Sequence, residues 1–214
     1  MCVKEVQPMT RRKESDPHTP ITRHGWPDPE RVPWQGDPKW GSSPFGHGGK
    51  TIAQWGCPAA CLAPLLRLCG FSAGATPQTV VARAMREDPP VWAEHSSRAY
   101  LPRLARSTGL SCPDAPTVVT SAAFTGIPVE EMSMLITAHL DALAGFAWLQ
   151  VDHTDDGVGD HWIGAFAADA DWIYAADTAT AKIERLDRRT LSGRATWAGR
   201  EKTYQVVKAY LLGV

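Results

Sequence analysis

The sequence predicts an α+β fold, with N-terminal helices packed on a C-terminal antiparallel β-sheet. Two observations carry that prediction. Through residue 143 the apolar residues recur mainly at helical spacing, and from residue 146 onward they alternate or run in short aromatic and β-branched segments, as strands do. Helices followed by strands is the order of an α+β domain, not of an alternating βαβ one. A chain of 214 residues buries one good core, so one domain with an appended arm is the simplest organisation.

Residues 1–23 read as a flexible tail, 24–50 as a proline-, tryptophan- and glycine-rich arm, and 51–214 as the folded domain. Eight of the seventeen prolines fall in the first 50 residues, which disfavours regular structure there. Trp26, Trp34 and Trp40 argue that the arm packs on the domain, because bare linkers rarely carry large aromatics. The stretch SSPFGHGG at 42–49 is a loop. It runs into Gly-Lys-Thr, but Pro44 stands where a phosphate-binding loop needs its first glycine, and no strand precedes it.

A helix is expected over 58–68, where Ala59, Leu62, Ala63, Leu65, Leu66 and Leu68 share a face, with Cys57 at its N-terminus and Gly70 as C-cap. A second covers 76–86, opened by Thr76 and Pro77. A third covers 97–106 and ends before Gly109, and a fourth covers 129–143. Strands are expected at 146–151, 161–166, 171–176, 182–186 and 203–212.

The net charge is −1 and the pI near 6.6, so no basic field points to nucleic acid or an anionic membrane surface. The N-terminus lacks the apolar core of a signal peptide, and no apolar run reaches transmembrane length. The expected location is the cytoplasm, with non-classical export left open. Cysteines lie at 2, 57, 61, 69 and 112; an odd, unevenly clustered set predicts reduced thiols instead of a disulfide framework.

The chemistry centres on TIAQWGCPAACL, residues 51–62. A cysteine at a helix N-terminus sits where the helix dipole and unpaired N–H groups favour thiolate. It becomes an acyl-transfer nucleophile when a histidine takes its proton and a third group orients that histidine. Taken alone, Cys57 fits a small core residue at least as well, and Cys61 and Cys69 fit helix packing better. Of the seven histidines, His161 opens a strongly apolar strand, and Asp177 closes the next one. Adjacent antiparallel strands place two such residues side by side, with the carboxylate holding the imidazole tautomer. His139 lies among apolar residues of a predicted helix and reads as a satisfied boundary histidine.

Three motifs in order then resemble one family. PWQGDPKW at 33–40 resembles the Gln-x-Asp-x-x-Trp lead-in of stand-alone bacteriocin-processing-type peptidases. TIAQWGC at 51–57, followed by an apolar helix, resembles their nucleophile segment. DHWIGAF at 160–166 and YAADT at 174–178 resemble their histidine strand and aspartate strand end. The chain therefore resembles a cysteine peptidase of the C39-like group over roughly residues 33–190. The resemblance implies a papain-like fold, Cys57 as nucleophile, His161 as general base and acid, Asp177 as its partner, and a glutamine as oxyanion donor. Gln35 matches by its lead-in motif; Gln54 is the alternative. The chain departs from the family's pattern at Pro58 after the nucleophile, Asp160 before the histidine and Thr178 after the aspartate. Cys61 is the competing nucleophile.

The expected function is thus a cysteine peptidase or amidase forming a thioester acyl-enzyme, with a peptide or protein substrate and no cofactor. Acyl transfer to an amine on the same triad, or a non-catalytic peptide-binding module, are the alternatives. Zinc has sulfurs at Cys57, Cys61 and Cys69, but no second close-spaced ligand pair. The acidic stretch 152–160 begins like a calcium loop, yet Thr154 takes a carboxylate position and Ile163 stands where the closing glutamate belongs. It reads as a solvated turn on the rim beside His161. Arg185, Arg188 and Arg189 read as solvated surface.

Overall fold

The computed structural model describes residues 32–45, 49–68, 72, 74–87, 100–112, 118–119, 126–141, 145–156, 159–197 and 199–213. Among them the helices are α1 (Ile52–Trp55), α2 (Cys57–Leu68), α3 (Pro77–Ala84), α4 (Tyr100–Ser107) and α5 (Val129–Asp141). The strands are β1 (Val118–Val119), β2 (Gly145–Asp152), β3 (His161–Ala168), β4 (Trp172–Asp177), β5 (Lys182–Asp187), β6 (Ser192–Trp197) and β7 (Arg200–Gly213). Helix starts follow local chemistry. α2 has Pro58 in its first turn, where the missing N–H has no helical partner to lose. Thr76 caps α3 by accepting the Thr79 N–H at 3.1 Å.

The expected papain-like arrangement of helices on an antiparallel sheet is not the one that forms. Strands β2 to β7 close into a six-strand antiparallel barrel, with few, short helices around it. β2 through β6 pair in chain order, and β7 pairs with β6 along residues 200–205 and with β2 along residues 205–213. A single long strand therefore joins both edges and leaves neither open. Register shifts between Gln150 and Val151 and between Ala165 and Ala167 add the local bending that closure needs. β1 lengthens the sheet by pairing with β7 at Val118 and Val119. Two features hid the barrel. The sequence of β6, SGRATW, lacks an apolar alternation, and β7 begins with the charged residues Arg200, Glu201 and Lys202.

The pleat divides the core in two. One set, drawn from every barrel strand, fills the interior: Leu149, Ile163, Ile173, Leu186, Ala195 and Val206, joined by Met132 and Ile136 of α5. The other lies on the outer face, where Trp148, Trp162, Phe166 and Tyr174 pack with Leu62, Leu65 and Leu66 of α2. Each fully buried leucine or isoleucine contributes about 1.5–3 kcal/mol relative to exposure. Val32 and Phe45 of the arm are buried in this outer cluster, and the Ala53 and Ile52 N–H groups donate to Gly41 and Ser43 at 2.9 and 3.0 Å. The tail, arm residues 24–31 with Trp26, and also His47, His95, Cys2, Cys69 and the Gly70 C-cap lie outside the described residues.

Helix α2 comes so close to β3 that a side chain at Gly164 would crowd it. A Cβ there would sit 3.0 Å from the Cys61 carbonyl oxygen and 3.1 Å from Leu65 Cδ1. That contact sets the N-terminus of α2 against the start of β3, three residues from His161.

Candidate active site

Cys57 is the first residue of α2, and Gly56 is the hinge that puts it there. The Gly56 N–H donates to the Ile52 carbonyl at 2.8 Å, and a Cβ on Gly56 would lie 2.4 Å from that oxygen. Only glycine permits the chain to leave α1 and start α2 within one residue. The Cys57 side chain is half-buried and lies within electrostatic reach of the His161 ring.

His161 opens β3 and is 1% exposed; Asp177 closes β4 and is fully buried. The His161 Nε2–H donates to Asp177 Oδ1 at 2.8 Å. Nδ1 is then the ring nitrogen left for the Cys57 sulfur. Asp177 also accepts the Ala179 N–H on Oδ1 at 2.8 Å and the Tyr204 hydroxyl on Oδ2 at 2.6 Å. Burial alone would disfavour charge on both groups. For His161, Asp177 and Cys57 outweigh burial and push the imidazole up to about 10. For Asp177, His161, Tyr204 and the Ala179 N–H outweigh it and hold the carboxyl below its usual range. The site therefore carries a buried imidazolium against a buried carboxylate.

The structure separates the two glutamines. Gln35 is 7% exposed and is held by its backbone N–H to the Thr178 carbonyl at 2.9 Å, next to Asp177. Its Nε2 donates to the Ala53 carbonyl at 3.1 Å, and its Oε1 accepts from the Thr178 hydroxyl at 3.5 Å. Gln54 is exposed, and its Oε1 accepts the Thr51 N–H at 3.1 Å, a cap for α1. Gln35 is the one beside Asp177, through its bond to the Thr178 carbonyl.

Cys61 is fully buried, and its thiol donates to the Pro58 carbonyl at 3.3 Å. Burial, reinforced by Cys57 beside it, pushes that thiol well above its usual range. Cys61 thus stays a neutral core thiol one turn from Cys57. None of Cys57, Cys61 and Cys112 is in a disulfide. His139 Nε2 lies 3.0 Å from the Leu212 carbonyl oxygen, a structural contact. Among the described residues no group of three or more His, Cys, Asp or Glu converges as a metal site.

Sequence reasoning missed two neighbours, Trp197 and Tyr204, while it placed the turn that carries His153 on the rim. Trp197 lies with its ring centroid 5.2 Å from that of His161, at 45°. His153 packs 4.8 Å from Trp197 and bonds through Nδ1 to Asp160 Oδ1, forming the rim beside His161. The rim turn is a carboxylate-capped one: Asp152 Oδ1 accepts the Thr154 and Asp155 N–H groups, each at 2.8 Å. Tyr204, the second missed neighbour, reaches Asp177 from the far side of the barrel. The signal for Tyr204 was an inward-facing tyrosine in an apolar strand, whose hydroxyl needs a partner when buried. No helix among the described residues is long and apolar enough to cross a membrane. No protein-family model matches the chain, and no curated protein matches it.

Proposed function

We propose that the chain is a cysteine hydrolase that cleaves a peptide or other amide bond through Cys57, His161 and Asp177. What supports the reading is one observation: the strand-opening histidine and the strand-closing aspartate form a buried, hydrogen-bonded pair, and the half-buried cysteine at a helix start lies within electrostatic reach of that histidine. The sequence likeness to the C39-like peptidases points the same way, although the barrel departs from the fold that likeness implied.

The Cys57 sulfur attacks the carbonyl carbon. The developing oxyanion takes hydrogen bonds from Gln35 Nε2 and from the Cys57 backbone N–H at the start of α2. The His161 imidazolium gives its Nδ1 proton to the leaving nitrogen, and the amine departs. A thioester remains on Cys57. Nδ1, now unprotonated, takes a proton from the water that attacks the thioester carbonyl, and the carboxylic acid leaves as the sulfur is released. Asp177 keeps Nε2–H pointed at itself throughout, so that Nδ1 always faces the sulfur. The substrate is a peptide or protein, and the cytoplasm suits a catalyst that needs a reduced thiol.

The test is a peptide-library incubation read by mass spectrometry, comparing wild type with Cys57→Ala. Cleaved products from wild type alone, with a hydroxylamine-sensitive adduct on Cys57, support the reading. Equal product from both proteins overturns it, and amine-coupled products in place of acids assign acyl transfer.

A further inference from the structure

The two oxygens of Asp177 have different duties. Oδ1 receives the imidazole N–H and the Ala179 N–H, while Oδ2 receives the Tyr204 hydroxyl at 2.6 Å. Tyr204 is fully buried on β7, with its ring in the barrel interior among the apolar side chains. In the ring of six strands β7 and β4 are three places apart in either direction, so they face each other across the barrel. The Tyr204–Asp177 hydrogen bond therefore spans the barrel's interior, and the Tyr204 ring centroid lies 6.0 Å from that of His161.

A carboxylate in an apolar interior is tolerated only when its lone pairs are occupied. Short hydrogen bonds to an ionised oxygen are the strong class, and they also fix direction. With Oδ2 anchored from the opposite wall, Asp177 cannot rotate its carboxyl plane without breaking that bond. Remove the phenol, and the carboxylate either swings or takes a proton; both spoil the acceptor that His161 uses. The charged groups around the phenol come from every neighbouring element. Asp177 on β4, Glu184 on β5 and Asp160 before β3, together with burial, push the phenol well above its usual range, so it stays a donor. Burial and Asp177 push the Glu184 carboxyl up as well, against Lys182 and the Thr180 hydroxyl.

We propose that Tyr204 is a positioning residue for the triad, its phenol holding the Asp177 carboxylate in the orientation from which Oδ1 accepts the His161 N–H. This rests on the hydrolase reading for its catalytic consequence, but its geometric content can be measured without turnover.

The experiment uses the full chain labelled with nitrogen-15 and follows the His161 Nε2 proton by NMR, beside kcat and KM against pH. In Tyr204→Phe, which keeps the ring, the Nε2 proton should leave its downfield, exchange-protected position. kcat should fall about tenfold with KM unchanged, the scale of one lost charge-assisted hydrogen bond. The acid limb of kcat should move to higher pH, because the bond that lowers the Asp177 pKa has gone. Adding Tyr204→Phe to Asp177→Asn should cause no further loss. An unmoved Nε2 proton with an unmoved acid limb overturns the proposal, as does a full extra loss in the double variant. If Tyr204→Phe fails to fold, 3-fluorotyrosine placed at 204 keeps the shape with a stronger donor. The acid limb should then move to lower pH, and no movement overturns the proposal. If wild type cleaves no amide, the hydrolase reading falls, while the Nε2 proton still decides whether Tyr204 positions Asp177.

Discussion

His161 Nε2 and Asp177 Oδ1 stand 2.8 Å apart on neighbouring strands, but not directly opposite one another. Gly164 pairs with Ala176, so Asp177 falls opposite Ile163, two residues along the same face from His161. The pair is a diagonal one, within reach because both side chains point inward at the mouth of the barrel. A single hairpin, β3 to β4, thus builds the dyad.

Removing the carboxylate should strand a buried imidazole. Asp177→Ala is expected to lower kcat roughly 100-fold or more, within the range for general acid–base catalysis. It should also destabilise the fold by about 3–5 kcal/mol, the scale for breaking one side of a buried ion pair. Urea unfolding and steady-state kinetics on the same preparation check both numbers.

The imidazole predicts a pH signature in stability. Its folded value, about 10, lies above the ordinary 6.5. A raised pKa means that the stabilisation is fully present below about 6.5 and is lost as pH rises through 10. The thermal midpoint of wild type should therefore fall, relative to that of His161→Gln, between those two values. Parallel curves would count against a charged His161.

The two glutamines should behave differently. Gln35→Ala is expected to reduce kcat by roughly 100- to 1,000-fold, the loss of one oxyanion donor. Gln54→Ala removes an exposed cap from α1 and should leave kcat within twofold while costing about 1 kcal/mol or less of stability. Equal kinetic effects would mean that Gln35 has no special place in the cleft.

Gly164 links packing to chemistry. Gly164→Val places branched carbons where the Cys61 carbonyl and Leu65 already stand. The expected outcome is a loss of about 1–3 kcal/mol from overpacking. Because α2 must move to make room, iodoacetamide should react with Cys57 more slowly than in wild type. In wild type, Cys57 should label before the buried Cys61 and Cys112.

Much of the sheet could be read directly. β2 to β5 stand close to the expected strand positions because their apolar and aromatic residues alternate within one hairpin's reach. The helix start at Cys57 and the strand ends at His161 and Asp177 could be read from the sequence, but their grouping as one site came from the resemblance and not from any of the three positions alone. Barrel closure was not legible, because it depends on β6, whose Gly193 and Arg194 carry no strand pattern, and on which edges β7 meets. Neither is a local property. The glutamine choice stayed open for the same reason: whether Gln35 or Gln54 is buried depends on where the Thr178 carbonyl comes to rest. Tyr204 had a visible need for a partner, but that partner lies half a circumference away.

Strand β7 is the last of the barrel strands to leave the ribosome, and it carries both the closing edge and the phenol that grips Asp177. A nascent chain that has reached only β6 already contains Cys57, His161 and Asp177, yet its ring is open and one oxygen of its aspartate is unheld. The order of synthesis thus puts the strand that closes the ring after all three residues. Until β7 has paired with both β6 and β2, Cys57, His161 and Asp177 lack the closed ring and the buried phenol that hold the aspartate in place.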